Sequence, residues 1–268
     1  MSSENTVCFT KDNLDTYLKE LAKEFRKLNG TAVPAEIILI GGAAILANYS
    51  FRDMTSDVDA VIHASSSMKD AINRVGDKFD LPNGWLNADF MNTGSYSPKL
   101  DEFSAYYKTF SNVLQIRTVS AEYLIAMKLR SGRKYKNDLS DIIGILAEHE
   151  KRGTPITLDN IDVAVKNLYG DWADIPADSR AFIQNAFRNG NYEQVYTSIS
   201  EEEKKSKEIL VGFEQGYPGV TTESNVNEIL RTLKEKKKPS VLAKLRADRN
   251  EPDAPSASKK KKDRDRER

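Results

Sequence analysis

The chain has 268 residues, of which 39% are hydrophobic, and its 40 Lys and Arg are balanced by 40 Asp and Glu. This length and apolar content suffice for one large domain or two smaller ones, each with a buried core. No segment approaches the roughly 18 apolar residues of a membrane-spanning helix, and the polar start lacks the features of a signal peptide. We therefore expect a cytoplasmic protein with no membrane as partner.

Cysteine and histidine are scarce in this chain. Cys8 is the single cysteine, and His63 and His149 are the only histidines. A single cysteine forms neither an internal disulfide nor a cysteine-based metal cluster. A bound metal would therefore be held mainly by carboxylates.

Helical and strand-like patterns alternate over the first 120 residues. Apolar residues three or four apart predict an amphipathic helix over 11–29, which Gly30 ends. Short apolar runs predict buried strands over 36–40, 57–62 and 113–119, with helices over 43–49 and 67–79 between them. Ser67 is placed to cap the second of these helices.

Residues 81–112 are rich in Pro, Gly, Asn and Ser, and strands and ordered loops are both open for this segment. It contains four aromatic residues at helical spacing, namely Phe103, Tyr106, Tyr107 and Phe110. That spacing favours packing in the core over a platform on which bases stack.

The second half of the chain has helical patterns. Helices are predicted over 121–130, with Ser120 as a cap, and over 137–148, 158–168, 178–188, 192–213 and 224–236. We therefore predict an α+β fold, in which a mixed α/β core with a short mixed sheet precedes a helical C-terminal half. The predicted divisions are a core domain over 1–150, a helical domain over 151–238 and a basic tail over 239–268.

The balanced charge is the sum of two unlike parts. Residues 231–268 contain 15 Lys and Arg against 7 Asp and Glu, whereas residues 1–230 contain 25 against 33. Residues 247–268 are too polar to bury a core, so we predict disorder there. Such a basic tail either binds an anionic partner or is a solvated segment that aids solubility.

A glycine pair follows the first predicted strand. Gly41-Gly42 ends the strand and opens a helix, which lets backbone N–H groups approach an anion at the positive end of that helix. Taken alone, such a pair is more often a tight strand-to-helix turn.

Two aspartates are predicted on the second strand. Asp57 and Asp59 stand at i and i+2, so both carboxylates face the same side of a sheet. Mg²⁺ is usually held by one or two carboxylates together with substrate phosphates and water. A phosphate-binding turn followed by this pair indicates nucleotide chemistry, whereas the pair alone is as often a solvated edge.

Together these residues resemble a known superfamily. Gly41-Gly42 followed by Asp57-x-Asp59 resembles the glycine and double-aspartate signature of the DNA polymerase β-type nucleotidyltransferases. The fuller pattern, Leu39-Ile-Gly-Gly-Ala-Ala44 with Arg52-x-x-Thr55-x-Asp57-Val-Asp59, is similar to a bacterial nucleotidyltransferase-like branch related to the AbiEii-type toxins. In those toxins a Lys on one helix is followed by Asp-x-x-Asp on the next, as Lys128 is followed by Asp138-x-x-Asp141 here.

The resemblance implies a polymerase β-type core and a role for each of these positions. Gly41 and Gly42 would shape the loop around the nucleotide triphosphate, and Asp57 and Asp59 would be catalytic residues that bind Mg²⁺ or Mn²⁺. Lys128 would act in catalysis by contacting phosphates, and Asp141 would orient Lys128 or a base. The implied nucleotide-binding set is completed by Arg52, Thr55, Ser56 and Arg130, with Arg133 as a further cation for phosphate.

Simpler structural roles are open for several of these residues. Lys128 and Arg130 adjoin apolar residues and could extend from a packed helix to solvent, and Asp138 could cap its helix. Members of the superfamily often have a third carboxylate on a later strand, but 113–119 contains none. Asp89 is a candidate substitute from a loop, although loop chemistry alone also explains it.

We expect a metal-dependent nucleotidyltransferase that uses an NTP and modifies an RNA (tRNA-like) or protein hydroxyl. The basic tail would bind the RNA, and the resemblance implies a toxin whose partner is a cognate antitoxin. Two alternatives are open: a catalytically reduced module that binds nucleotide or RNA, and an antitoxin or interaction partner.

Overall fold

The computed structural model describes residues 8–222 and 225–237 of the chain. The predicted α+β fold is confirmed, because a five-stranded mixed sheet is combined with many helices. The predicted tail 239–268, with its predicted disorder, lies outside the described residues. Within them, no helix is long and apolar enough to cross a membrane.

The predicted helices and strands are present in the described residues, with ends that shift by a few residues, as is usual for element boundaries. The helices are α1 (Lys11–Asn29), α2 (Gly41–Asn48), α3 (Ser67–Phe79), α4 (Ala121–Ser131), α5 (Asp138–Lys151), α6 (Leu158–Tyr169), α7 (Ala177–Asn189), α8 (Tyr192–Gly216) and α9 (Val226–Lys237). The strands are β1 (Ala35–Leu39), β2 (Val58–His63), β3 (Leu86–Asn87), β4 (Ser104–Phe110) and β5 (Leu114–Val119).

The strand order in the sheet is β3-β2-β1-β5-β4. The central strand β1 is antiparallel to β2 and parallel to β5, β2 is parallel to β3, and β4 is antiparallel to β5. The end of β1 lies beside the start of β2, because Leu39 pairs with Ala60. This register brings the glycine turn after β1 next to the aspartates at the start of β2.

The segment left open by the sequence contains β3, β4 and two 3-10 helices, Asp89–Asn92 and Pro98–Asp101. Helical spacing is misleading here, because Tyr106 and Phe110 lie on β4. Residues four apart share a face of a regular strand, but the register of β4 shifts between Tyr106 and Lys108, so Tyr106 is 62% exposed whereas Phe110 is buried. The expectation of core packing is therefore wrong for Tyr106.

The structure moves one of the two predicted serine caps by one residue and shows no capping hydrogen bond at either helix. Ser66, not Ser67, is the N-cap of α3, and its side chain makes no capping hydrogen bond. The Ser67 hydroxyl instead donates to Oδ1 of Asn29 at 2.8 Å, because α1 and α3 pack together. Ser120 is the N-cap of α4 as predicted, but its side chain makes no capping hydrogen bond either.

The chain divides into two compact units, Met1–Glu208 and Ile209–Arg268. In the first unit, α6 and α7 bury Val165 and Ile183 in the same apolar core as the sheet. The predicted domain division after residue 150 stays a prediction. In the second unit, Val226 and Leu230 of α9 are buried.

Candidate active site

The turn between β1 and α2 places a helix N-terminus beside a carboxylate. Gly41 has φ +53°, in the left-handed region that side chains rarely adopt. No side chain caps α2, so its first N–H groups can bind an anion. A Cβ added at Gly41 would lie 3.7 Å from Oδ2 of Asp59.

Gly42 is required by packing. A Cβ at this position would lie 2.5 Å from Oγ1 of Thr55 and 2.9 Å from Nη2 of Arg52. The structure therefore brings Gly42, Arg52 and Thr55 together, as the motif predicts. That Gly42 helps to bind a nucleotide triphosphate stays a prediction.

The two motif aspartates lie at the start of β2. Asp57 is exposed and directly precedes the strand, so the predicted strand start at 57 is one residue early, and Asp59 is half-buried within it. The Thr55 hydroxyl donates to Oδ1 of Asp57 at 3.3 Å. Burial raises the pKa of Asp59 above its ordinary value, and the negative charge of Asp57 adds to this rise. Two carboxylates close enough to repel each other form a favourable position for a cation.

Asp89 begins the 3-10 helix Asp89–Asn92, which follows β3, the strand that adjoins β2. Asp59 pairs with Asn87 of β3, and Asp89 follows two residues later as an exposed residue. Its negative charge contributes to the raised pKa of Asp59. In the described part of the chain, however, no three His, Cys, Asp or Glu side chains are grouped so that they could hold a metal. A third ligand from Asp89 therefore stays a prediction.

Helices α4 and α5 and two neighbouring loops share a chain of ion pairs, here named the buried ion-pair network. Its members are Arg52, Lys128, Arg133, Asp138 and Asp141. Lys128 Nζ lies 2.8 Å from both Oδ1 of Asp138 and Oδ2 of Asp141. Arg52 Nη1 lies 2.6 Å from Oδ2 of Asp141, and Arg133 Nε lies 2.8 Å from Oδ2 of Asp138. Each carboxylate therefore bridges two cations.

Lys128 and Asp138, which pair at the centre of this network, are both charged. Burial acts to lower the pKa of Lys128, but Asp138 and Asp141 outweigh it and raise that pKa. Burial acts to raise the pKa of Asp138, but Lys128 and Arg133 hold it well below its usual range. Because these cations and acids neutralise each other, the network tolerates its burial.

The geometry decides between the alternatives left open for these residues. Lys128 is 8% exposed and ion-paired, so extension to solvent is wrong. Asn137 is the N-cap of α5, and the carboxylate of Asp138 is bound to cations, so the capping role is also wrong. Asp141 contacts Lys128, as expected for a residue that orients it. Phosphate binding by Lys128 stays a prediction.

One face of α5 holds the loop that carries Arg52. Asp141, Gly144 and Glu148 follow each other at helical spacing on this face. Asp141 binds Arg52, and Oε2 of Glu148 accepts the backbone N–H of Ser50 at 3.0 Å. A Cβ at Gly144 would lie 2.5 Å from the ring of Phe51. The helix therefore fixes the loop 50–55, which leads to the motif aspartates.

Two predicted nucleotide-binding residues lie apart from this network. Arg130 donates to the carbonyl of Gly94 at 3.1 Å, pairs with Asp174 at 3.0 Å and lies over the ring of Tyr169. Ser56 is exposed in the loop before β2. Nucleotide binding by either residue stays a prediction.

Residues 16–148 match the model of a family described as "Nucleotidyltransferase of unknown function (DUF6036)". This part of the chain is nucleotidyltransferase-like. The match spans all of the predicted site residues, from Gly41 to Asp141. Comparisons with curated proteins and with solved structures find no match. The predicted resemblance to nucleotidyltransferases is confirmed for this part of the chain. The relation to AbiEii-type toxins stays a prediction.

Helix α8, which lies beyond the matched residues, supports the nucleotidyltransferase-like region at two positions. The Tyr196 hydroxyl donates to the carbonyl of Phe51 at 2.9 Å. Oε1 of Glu203 accepts the N–H groups of Leu139 at 2.9 Å and of Ser140 at 3.4 Å, at the N-terminus of α5. Burial raises the pKa of Glu203 to about 7. The sequence has no signal for either contact, because Glu203 ends a run of three glutamates typical of an exposed surface.

Proposed function

We propose that the protein is a metal-dependent nucleotidyltransferase. An acceptor hydroxyl oxygen would attack the α-phosphorus of an NTP, the bond to the β-phosphate oxygen would break, and pyrophosphate would leave. The observation that carries this proposal is the uncapped N-terminus of α2 beside Asp57 and Asp59, within residues that match a nucleotidyltransferase family.

Asp57 and Asp59 fit Mg²⁺ or Mn²⁺, because they are mutually repelling carboxylates that meet at a partly exposed position. Two carboxylates suffice for Mg²⁺ when phosphate oxygens and water complete its shell. The metal, when bound, supplies positive charge that offsets the triphosphate. The N–H groups of the first α2 turn would bind phosphate oxygens at the helix N-terminus.

The acceptor that we propose is an RNA with a tRNA-like end, and a protein hydroxyl is the other outcome of the same test. The resemblance to AbiEii-type toxins and the basic composition of 239–268 support this choice. The same resemblance supports a toxin that works in the cytoplasm and is bound by a cognate antitoxin. Deletion of 239–268 is expected to weaken RNA binding at low salt and to reduce its salt dependence.

One experiment tests the reaction. The protein is incubated with each of the four α-³²P-labelled NTPs, Mg²⁺, total RNA and cell protein, and the label is followed on denaturing gels. Transfer of label to RNA that is lost in the Asp57→Ala, Asp59→Ala double variant supports the proposal. Label on protein identifies a protein hydroxyl as the acceptor.

A nucleotide-binding module without catalysis is the second candidate. It is favoured by the observation that the described residues contain no group of three side chains able to hold a metal. This candidate predicts that the wild-type chain binds an NTP with Mg²⁺ but transfers no label to any acceptor.

A further inference from the structure

The loop that leads to the motif aspartates is fixed at Thr55 by a segment that precedes α1. Thr55 and Phe9 form an isolated β-bridge, in which Phe9 N donates to the Thr55 carbonyl at 2.8 Å and Thr55 N donates to the Phe9 carbonyl at 2.9 Å. The Phe9 side chain is fully buried and stacks on Trp85, with 6.0 Å between the ring centroids. Phe9 lies outside the family match over 16–148, so this support comes from a part of the chain that the match does not include.

A second backbone contact fixes the chain on the other side of Asp57. Val58 N donates to the carbonyl of Trp85 at 3.1 Å, and Nε1 of Trp85 donates to the carbonyl of Ile72 on α3 at 3.1 Å. Asp57 therefore lies between two residues, Thr55 and Val58, whose backbone is held by neighbouring segments. These contacts fix the backbone around Asp57 but not the direction of its carboxylate.

The Thr55 hydroxyl supplies a contact for that carboxylate. Thr55 is 3% exposed, and its Oγ1 donates to Oδ1 of Asp57 at 3.3 Å. Among the described residues, this contact is the one hydrogen bond or ion pair that the Asp57 side chain makes. The same hydroxyl lies against Gly42, where an added Cβ would be 2.5 Å away. The hydroxyl is therefore enclosed between Gly42 and Asp57, and it binds one of the two carboxylate oxygens.

We propose that Thr55 is a positioning residue that orients the Asp57 carboxylate for a divalent cation. The inference rests on the proposed function, in which Asp57 binds Mg²⁺ or Mn²⁺. Because the hydroxyl already holds Oδ1, the carboxylate loses less rotational freedom when a cation binds. Hydrogen-bond partners of metal ligands typically account for a factor of roughly 10–100 in metal affinity. Thr55 therefore contributes to metal binding through Asp57, and not by contact with a phosphate.

The test measures Mn²⁺ binding by the full chain from the relaxation rate of water protons, without nucleotide. Thr55→Val and Thr55→Ala remove the hydroxyl, and Thr55→Ser keeps it. We expect both hydroxyl-free variants to raise the Kd for Mn²⁺ about tenfold, at the low end of that range because 3.3 Å is long for a hydrogen bond between oxygens. The Kd of Thr55→Ser stays within about twofold of wild type.

Thr118→Val is the matched control, because Thr118 is also 3% exposed. It shares a row of the sheet with Leu39 and Ala60, and side chains alternate along β2, so this row faces away from Asp59. We expect its Kd for Mn²⁺ to equal that of wild type.

Thermal unfolding of each variant shows whether the compared chains are folded. Thr55→Ala adds no atom against Gly42, so it keeps the test valid if the methyl group of valine disturbs the fold. Loss of folding in both hydroxyl-free variants assigns Thr55 to stability alone and overturns the proposal.

The other outcomes separate this inference from the proposed function. Absence of label transfer by the wild type overturns the reaction, whereas weaker Mn²⁺ binding confined to the hydroxyl-free variants still supports the role of Thr55. Unchanged Mn²⁺ binding in these variants, equal weakening in Thr55→Ser, or no Mn²⁺ binding by the wild type overturns the inference even where label is transferred. Weaker NTP binding with unchanged Mn²⁺ binding also overturns it, because the hydroxyl then contacts the nucleotide.

Discussion

The two aspartate motifs, Asp57-x-Asp59 and Asp138-x-x-Asp141, differ in what surrounds them. Asp138 and Asp141 are buried, and each bridges two cations. Asp57 is exposed and Asp59 is half-buried, and they face each other's charge. Residue type alone does not distinguish the two motifs. Burial and cation partners do: the second motif joins α4, α5 and the loop 50–55 through ion pairs, and the first is the one that we propose to bind a ligand.

Loss of the central cation of the buried ion-pair network is expected to have the largest effect on stability. Lys128→Met leaves Asp138 and Asp141 with one cation each, and breaking a buried pair in this way costs about 3–5 kcal/mol. Urea denaturation measures the free energy of unfolding. The exposed control Lys134→Met is expected to change it by less than about 0.5 kcal/mol. An equal effect of the two substitutions would contradict the structural assignment of Lys128.

The second expected effect is a pH dependence of the free energy of unfolding, which arises from Glu203. The pKa of Glu203 is about 7 in the folded chain, against 4.5 for the ordinary group. A raised pKa means that the folded chain holds its proton more tightly than the unfolded chain, so the stability of the wild type falls as pH rises from about 4.5 to 7. The raised pKa is caused by burial and also by the neighbouring charge of Asp141.

Glu203→Gln removes this ionisation while its amide oxygen can still accept the N–H of Leu139. We expect the variant to match wild type near pH 4.5 and to exceed its stability by roughly 3 kcal/mol at pH 8. Unfolding in urea across this pH range measures the difference. Glu201→Gln, at an exposed position of the same helix, is the control and should show no such trend. A Glu203→Gln variant that is no more stable than wild type at pH 8 would contradict the raised pKa of a buried Glu203 carboxyl.

Gly144 provides a smaller test of the contact between α5 and the loop 50–55. Gly144→Ala places a Cβ 2.5 Å from the ring of Phe51, and such overpacking typically costs about 1–3 kcal/mol. Gly212→Ala, on α8 with open space around the added Cβ, is expected instead to stabilise by up to about 1 kcal/mol. Thermal unfolding compares the two, and stabilisation by both substitutions would contradict the contact.

The sequence predicts the local features of the site well. An apolar run that ends in Gly41-Gly42, followed by Asp57 and Asp59, is encoded within about twenty consecutive residues, and the structure brings these residues together. The helical half is predictable for the same reason, because the period of its apolar residues is a local signal.

The contacts that the sequence does not predict join residues that are far apart along the chain. Tyr196 meets Phe51 across 145 positions of the chain, and Glu203 meets Leu139 across 64. The strand β3 is only two residues long, which is too short for a period-two pattern to be recognised. Tyr106 is placed wrongly because aromatic residues three and four apart fit an amphipathic helix as well as the strand that they form.

The most direct test of the contrast between the two motifs is label transfer and unfolding measured together on Asp57→Asn, Asp59→Asn. Because these carboxylates have few stabilising partners, we predict that the double variant unfolds within about 1 kcal/mol of wild type while transfer from α-³²P-labelled NTP in Mg²⁺ is abolished. A variant that still transfers label, or one that loses transfer only because it is unfolded, would contradict the assignment of Asp57 and Asp59 to the chemistry.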